Sequence, residues 1–222
     1  MNNKSTIILL LTFFVLIDRI ANAQTYVDLG LPSGTLWADR NVGAASPEDY
    51  GDYFAWGETR PKDKYDWGTY KYATAYDEQT KYCNNSSYGY NGFTDNLTVL
   101  LPEDDAAIAN LGKDWRMPTQ AEFQELYDNC DWEWTSNYNG TGVAGRIVKS
   151  RITSNSLFLP AAGCRFGTSL GLAGSLGYFW SSSLDADDPL YGRGLNFDSG
   201  GVDPDDWYGR RYGRSVRAVR CR

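Results

Sequence analysis

The 222-residue sequence contains no histidine, and this absence removes several kinds of chemistry. Ser-His-Asp and Cys-His arrangements use an imidazole as the general base, and many zinc sites use it as a ligand. The four cysteines, Cys83, Cys130, Cys164 and Cys221, include no CxxC pair. Their spacing disfavours a zinc ribbon or a thioredoxin-like redox site.

Long apolar runs are scarce, and the clearest one lies at the amino terminus. Ile7–Ile17 follows Lys4 and precedes Ala21-Asn22-Ala23, an order typical of a secretory signal peptide with a small-residue cleavage site. The run is too short to span a bilayer as a helix. We expect residues 1–23 to be removed and the mature chain to begin at Gln24 without a transmembrane segment. Export would place it at the cell surface, in the medium or in the periplasm.

Acidic residues outnumber basic ones: the sequence has 28 Asp and Glu and 21 Lys and Arg, which gives a formal net charge of −7. Residues 1–23 hold two basic side chains and one acidic one, so the mature chain carries −8. Nucleic acids and anionic membranes need a positive footprint, so this acidic chain is not expected to bind either. The charge is uneven, because Ser181–Asp206 holds seven Asp and one Arg whereas Trp207–Arg222 holds six Arg and no acid.

The mature length of about 200 residues suffices for one well-buried domain. No internal repeat or low-complexity linker divides it, so residues 24–222 are predicted to form a single domain. Four cysteines in an exported chain permit two disulfides, with three possible connectivities.

Two helices and several short strands are predicted. Pro102–Leu111 starts with Pro and stops before Gly112, while Thr119 and Glu122 form a capping box that opens a helix over Thr119–Cys130. The apolar face of the second helix comprises Phe123, Leu126, Tyr127 and Cys130. Strands are expected at Trp132–Thr135, Arg146–Ile152, Leu157–Pro160, Tyr178–Ser182, Leu195–Phe197 and Ser215–Val219.

Helices early and strands late, without βαβ alternation, indicate an α+β fold. The irregular stretch Asn41–Thr98 is rich in Tyr and Trp, which favours packing on its own aromatics over disorder.

The segment Gly177–Arg222 has framework-like ends around a middle rich in Asp, Arg, Tyr, Trp and Gly. Val216–Val219 predicts a last strand whose arginines face water, and Ser199-Gly200-Gly201 predicts a turn. Tyr, Trp and Arg are the residues that interfaces favour, so the middle is predicted to be a binding surface. Ordinary polar loops are the alternative, because Gly and Asp are common turn residues.

Several motifs resemble the Fibrobacter succinogenes major paralogous domain family. In order, they are Tyr26–Ala38, Tyr53–Glu58, Trp115–Thr119 leading into Glu122-Phe123, Phe158–Gly163, Gly177–Ser183 and Gly213–Arg217. They cover nearly all of the mature chain. The resemblance implies an exported protein of Bacteroidetes type with a C-type-lectin-like fold, in which two helices flank small antiparallel sheets with long irregular loops. It implies a fold more firmly than an activity.

Some members of that wider fold group are targets of diversity-generating retroelements, which rewrite a carboxyl-terminal binding stretch by adenine-directed mutagenesis. The Asp, Arg, Gly, Ala, Leu and Pro residues between the framework motifs are among the products expected from such mutagenesis. Ordinary drift in surface loops is the alternative.

The leading hypothesis is a non-catalytic adhesin-like or receptor-like module that binds a protein or a glycan. Aromatic faces stack on sugars or fill pockets, and carboxylates accept hydrogen bonds from hydroxyl or Arg groups. The predicted contact residues are Asp185, Asp187, Asp188, Tyr191, Arg193, Asp198, Asp203, Asp205, Asp206, Trp207, Tyr208, Arg210 and Arg211.

Three other interpretations remain open. The acidic runs Asp185–Asp188 and Asp203–Asp206 offer the oxygen ligands that Ca²⁺ requires, although they lack EF-hand spacing and solvated loops explain them more simply. An oxidase related to the formylglycine-generating enzymes would need a cysteine pair such as Cys164 and Cys221, which lie outside any motif of those enzymes. The third interpretation is a structural subunit of the cell envelope or of a surface appendage.

Overall fold

The computed structural model describes residues 24–222, so the predicted signal peptide at 1–23 lies outside the described residues. In this part of the chain, short antiparallel strands form four sheets. The strands are β1 Tyr26–Val27, β2 Leu36–Ala38, β3 Cys130–Thr135, β4 Gly145–Ser150, β5 Ser156–Pro160, β6 Cys164–Phe166, β7 Ser169–Gly171, β8 Gly177–Leu184, β9 Tyr191–Phe197, β10 Val202–Gly209 and β11 Val219–Arg220. The helices are α1 Ala106–Leu111 and α2 Gln120–Asn129.

The predicted α+β fold of C-type-lectin type, with two helices flanking small sheets, is wrong. Eleven strands dominate residues 24–222, and the two helices have six and ten residues. The first helix is short because Asp105 takes an extended backbone and caps the helix, its carboxylate accepting from the N–H groups of Ala107 and Ile108. Pro102–Asp104 forms a separate 3₁₀ turn before it. The fold is therefore sheet-dominated.

Helix α2 forms where the sequence predicts it. Thr119 is the N-cap, and the Glu122 side chain reaches back to the Thr119 backbone, which completes the capping box. Phe123 and Leu126 are buried, but Tyr127 is 39% exposed and so lies outside the predicted core stripe. Cys130 adopts an extended backbone, which ends the helix and begins β3.

The sheets have the orders β1-β2-β11, β10-β9-β8, β3-β4-β5 and β6-β7. Strand β2 joins the two ends of the described chain, since Trp37 is paired with both Val27 and Val219. The last predicted strand is largely wrong, because β11 contains two residues. The residues before it form isolated bridges instead, such as Arg214 with Phe54 and Ser215 with Phe179.

Buried side chains form two clusters. The aromatic cluster confirms that the irregular stretch packs on its own rings; its large members include Trp56, Tyr65, Tyr70, Tyr72, Tyr82, Trp115 and Trp180. The second cluster packs α2 against the sheets and includes Leu29, Trp37, Phe123, Leu126, Val148, Leu195 and Phe197. Strand β8 contributes Trp180 and Leu184 to the first cluster and Phe179 to the second, so it lies between them.

Two glycines let β9 approach the Trp56 ring and the backbone of β8 closely. A Cβ atom at Gly192 would lie 2.6 Å from the Trp56 ring, and one at Gly194 would lie 2.2 Å from the Phe179 carbonyl oxygen. Both distances are shorter than any real contact, so β9 has no room for a side chain at these two positions. The side chains of Tyr191 and Arg193 project to the opposite side.

A buried carboxylate joins the irregular stretch to the turn before α1. Asp104 accepts hydrogen bonds from Lys71 Nζ at 2.9 Å, Lys81 Nζ at 2.5 Å and Tyr82 Oη at 2.7 Å. Burial raises the pKa of this carboxyl, but these partners outweigh burial and hold the pKa well below its usual value. Its contribution to stability is thus present above the unfolded pKa of about 3.9 and is lost as the pH falls toward the folded pKa.

Replacing Asp104→Asn should lower the free energy of unfolding at pH 7 by about 3 kcal/mol, because two ammonium groups lose their buried partner. The difference in free energy of unfolding between the variant and the wild type should become smaller below about pH 4, where the wild type begins to lose the stabilisation from ionised Asp104. Urea denaturation across this pH range measures both effects. Glu103→Gln is the matched control, since Glu103 is exposed and approaches Lys81 at 3.5 Å. Parallel pH profiles for wild type and Asp104→Asn would contradict the assignment.

Candidate functional site

The hairpin β9–β10 carries most of the predicted contact residues, and its turn is built by one of them. The Asp198 carboxylate accepts from the N–H groups of Gly200 and Gly201 at 2.7 and 2.8 Å, which confirms the predicted turn. These bonds lower the pKa of Asp198. Arg146 of β4 holds the turn in place by donating to the carbonyls of Asp198 and Gly201. Asp198 thus has a structural task in the hairpin.

One group of predicted residues comes together on the outer side of the hairpin, and we call it the Trp207 patch: Asp185, Tyr191, Arg193, Asp205 and Trp207. Trp207 is paired with Arg193 across the strands, so both project to the same side. Its ring packs edge-on against Tyr191, with centroids 4.8 Å apart. Trp207 is nevertheless 51% exposed, so the patch presents an indole face beside a cation.

Two carboxylates hold the arginine of the patch in place. Arg193 Nη1 lies 3.0 Å from Asp205 Oδ1, and its Nη2 lies 3.3 Å from Asp185 Oδ2. Asp185 is buried, so it positions Arg193 rather than facing a ligand as predicted. The exposed charge of the patch is therefore shared between Arg193 and Asp205.

In the loop after β8, the carboxylates of Asp185 and Asp188 accept hydrogen bonds from the backbone. Asp185 Oδ1 accepts from the N–H groups of Asp187 and Asp188, and Asp188 Oδ1 accepts from that of Leu190. Such bonds are typical of turns. Among residues 24–222, no three His, Cys, Asp or Glu side chains are grouped so that they could hold a metal ion.

Other predicted residues lie on the opposite, inner side of the hairpin. Asp206 and Tyr208 are paired with Gly194 and Gly192, and Asp203 is brought to the same side by a bulge between Asp203 and Asp206. Asp206 Oδ2 accepts from the buried Arg214 at 2.6 Å. Trp207 and Tyr208 therefore do not act on one surface, because neighbouring residues of a strand face opposite sides.

Arg210 is fully buried, so the surface position predicted for it is wrong. Its guanidinium donates to Tyr70 Oη and to backbone carbonyls, with all four distances between 2.8 and 3.0 Å. The carbonyls belong to Lys81, Tyr82 and Pro189. The ring of Trp56 lies 4.9 Å from its Cζ. These acceptors and rings satisfy the cation without any ligand.

Arg214 and Arg217 are also buried, although the sequence pattern predicted solvent-facing arginines here. The Arg214 guanidinium lies within 4.6 Å of the Tyr178, Trp180 and Tyr208 rings, and burial lowers its pKa. Arg217 donates to Asn41 Oδ1 and to the carbonyls of Ala38 and Phe158. The three arginines secure the carboxyl-terminal segment from inside.

Arg211 stays at the surface, held by aromatics that the sequence did not single out. Its Cζ lies 4.6 Å from the Trp67 ring and 4.1 Å from the Tyr212 ring, and it donates to the Tyr212 hydroxyl. Trp67 belongs to the irregular stretch and is distant in sequence. No local pattern could have linked it to Arg211.

The cysteines do not form the two permitted disulfides. All four are free; Cys83, Cys130 and Cys164 are buried, and Cys221 is exposed. Burial raises the pKa of the Cys164 thiol, which lies near Arg214, whereas Cys221 lies beside Arg116. The surroundings of Cys164 and Cys221 therefore differ, and they give no support to the pair that the oxidase interpretation needs.

Comparisons with protein-family models, with curated proteins and with solved structures find no match for this chain. Over residues 24–222, neither helix has the length and apolar character needed to cross a membrane.

Two neighbouring arginines give a test of this geometry. Arg210→Ala should lower the free energy of unfolding by about 3 kcal/mol or more, because it leaves buried acceptors unsatisfied and opens a cavity among the rings. Arg211→Ala, the matched control, should lower it by less than about 1 kcal/mol, since its contacts are partly exposed. Thermal and urea denaturation measure both. Equal effects would contradict the buried position of Arg210.

Proposed function

We propose that the protein is an exported, non-catalytic binding module that recognises a protein or a glycan through the Trp207 patch. The observation that carries this proposal is the half-exposed Trp207 ring, which is displayed in a strand beside Tyr191 and Arg193. Exposed Trp, Tyr and Arg side chains are the groups that most often dominate binding energy. An aromatic face can cover a sugar ring or enter a protein pocket.

The patch is also preorganised. Trp207 and Arg193 lie in paired strands, and Gln120 of α2 donates from Nε2 to the Pro204 carbonyl at 2.9 Å, which ties the edge strand β10 to the helix. Arg193 is already held by Asp205 and Asp185. A ligand would therefore lose little free energy to the ordering of these side chains.

The chemistry of the patch favours binding over catalysis. Its carboxylates are engaged with Arg193 or with backbone N–H groups, and the chain has no histidine to move a proton near neutral pH. The predicted membership of the Fibrobacter succinogenes major paralogous domain family, supported by the order of the sequence motifs, agrees with an exported binding role. Retroelement diversification stays a prediction, which an adjacent reverse transcriptase gene and a template repeat would support.

The proposal is tested by measuring how Trp207→Ala changes affinity for ligands selected from a glycan array and from a library of bacterial and host surface proteins. The free energy of binding should become less favourable by more than about 1 kcal/mol, as expected for an aromatic anchor. Tyr76→Ala is the matched control, because Tyr76 is a similarly exposed aromatic in the irregular stretch. Unchanged affinity in Trp207→Ala, with every selected ligand, would remove the patch as the binding site.

A further inference from the structure

A separate cleft lies between the end of α2, the start of β3 and the turn of the β9–β10 hairpin. It has a volume of about 400 Å³, within the range of small-ligand sites, and Tyr127, Trp132, Arg151 and residues 200–202 line it. Along β9, Phe197 at the turn is about 13 Å from Arg193 of the Trp207 patch. The cleft is therefore distinct from the patch.

The charges around the cleft balance. Asp128 and Asp131 face Arg146 and Arg151. Arg151 Nε donates to Asp131 Oδ1 at 2.6 Å, and the Arg146 guanidinium is occupied by backbone carbonyls. An anion or a cation would thus meet a group of its own sign as well as an opposite one. A charged ligand gains little net attraction here.

The same groups suit a ligand that has hydroxyls. Asp131 is exposed and its Oδ2 forms no hydrogen bond within residues 24–222, so it can accept from a hydroxyl. Arg151 keeps Nη2 free of hydrogen bonds in this part of the chain, so it can donate to one. A sugar ring carries both kinds of group on adjacent carbons.

Two aromatic rings complete the cleft. Tyr127 is 39% exposed, and its ring is tilted by 43° against that of Trp132, with centroids 6.4 Å apart. The apolar face of a sugar can cover the Tyr127 ring while its hydroxyls reach Asp131 and Arg151.

From these contacts we infer that the cleft is a second binding site, which takes a neutral mono- or disaccharide. This inference goes beyond the proposed function, since it concerns different residues and does not need the Trp207 patch. Burial raises the pKa of the Cys130 thiol at the cleft to about 11, which disfavours the reactive thiolate near neutral pH.

The test titrates the purified protein with six neutral sugars: the methyl glycosides of glucose, galactose, mannose and N-acetylglucosamine, together with maltose and cellobiose. Binding is followed by tryptophan fluorescence and by the indole N–H signal of Trp132 in NMR spectra. At least one neutral sugar should bind saturably and shift that signal. Glucuronate and glucosamine, the charged comparisons, should bind more weakly than the corresponding neutral ring. Equal or tighter binding of the charged sugars would overturn the inference, and so would the absence of saturable binding by all six.

Variants then assign the site. Tyr127→Ala should lower the affinity for the bound sugar about tenfold, through the lost ring contact, and Asp131→Asn should lower it about fivefold. Trp207→Ala should leave it unchanged, which separates this inference from the proposed function. Asp131 is exposed, so Asp131→Asn keeps the test decisive if Tyr127→Ala is poorly folded. Binding that survives both cleft variants, or that is lost in Trp207→Ala, would overturn the assignment.

Discussion

The buried guanidinium of Arg210 is the constraint on which the placement of the surface depends. A buried cation must find acceptors, and Arg210 finds them in the irregular stretch, at Tyr70, Lys81 and Tyr82, and at Pro189 beyond β8. These bonds draw the end of β10 inward. The irregular stretch, which lacks a continuous ladder of its own, is organised around the same group. Arg214 and Arg217 extend this inward anchoring along the chain.

Local signals in the sequence were sufficient for some elements. The capping box of Thr119 and Glu122 and the turn at Asp198 depend on residues within a few positions of each other, so their physics can be read from the sequence. Strand β10 could not be predicted in this way. It contains Pro204 and three Asp residues, which disfavour a strand, and its pairing with β9 overrides that preference.

The candidate site shows the same division between local and long-range information. Composition placed Trp207 and Arg193 in one set of predicted contact residues, because Trp and Arg are typical of interfaces, and the structure pairs them across the strands. Composition could not reveal that Arg210 is buried, since its acceptor on Tyr82 lies 128 residues earlier in the chain. Nor could composition show that Trp207 and Tyr208 face opposite sides of the hairpin, because this depends on the strand register and on the bulge. Tyr127 was misassigned because periodicity gives a face of a helix and not what covers it.

Glycines 192 and 194 give β9 a smooth inner side, and this has a consequence for how the protein can change. The ring of Trp56 rests on backbone at Gly192, so this side of β9 places no packing constraint on the outward residue Tyr191. Replacement of Tyr191 and Trp207 would alter the chemistry on display while leaving the packing of Trp56 intact, whereas Arg193 stays constrained by its ion pair with the buried Asp185. A chain built in this way is a suitable framework for selecting new specificities from combinatorial libraries.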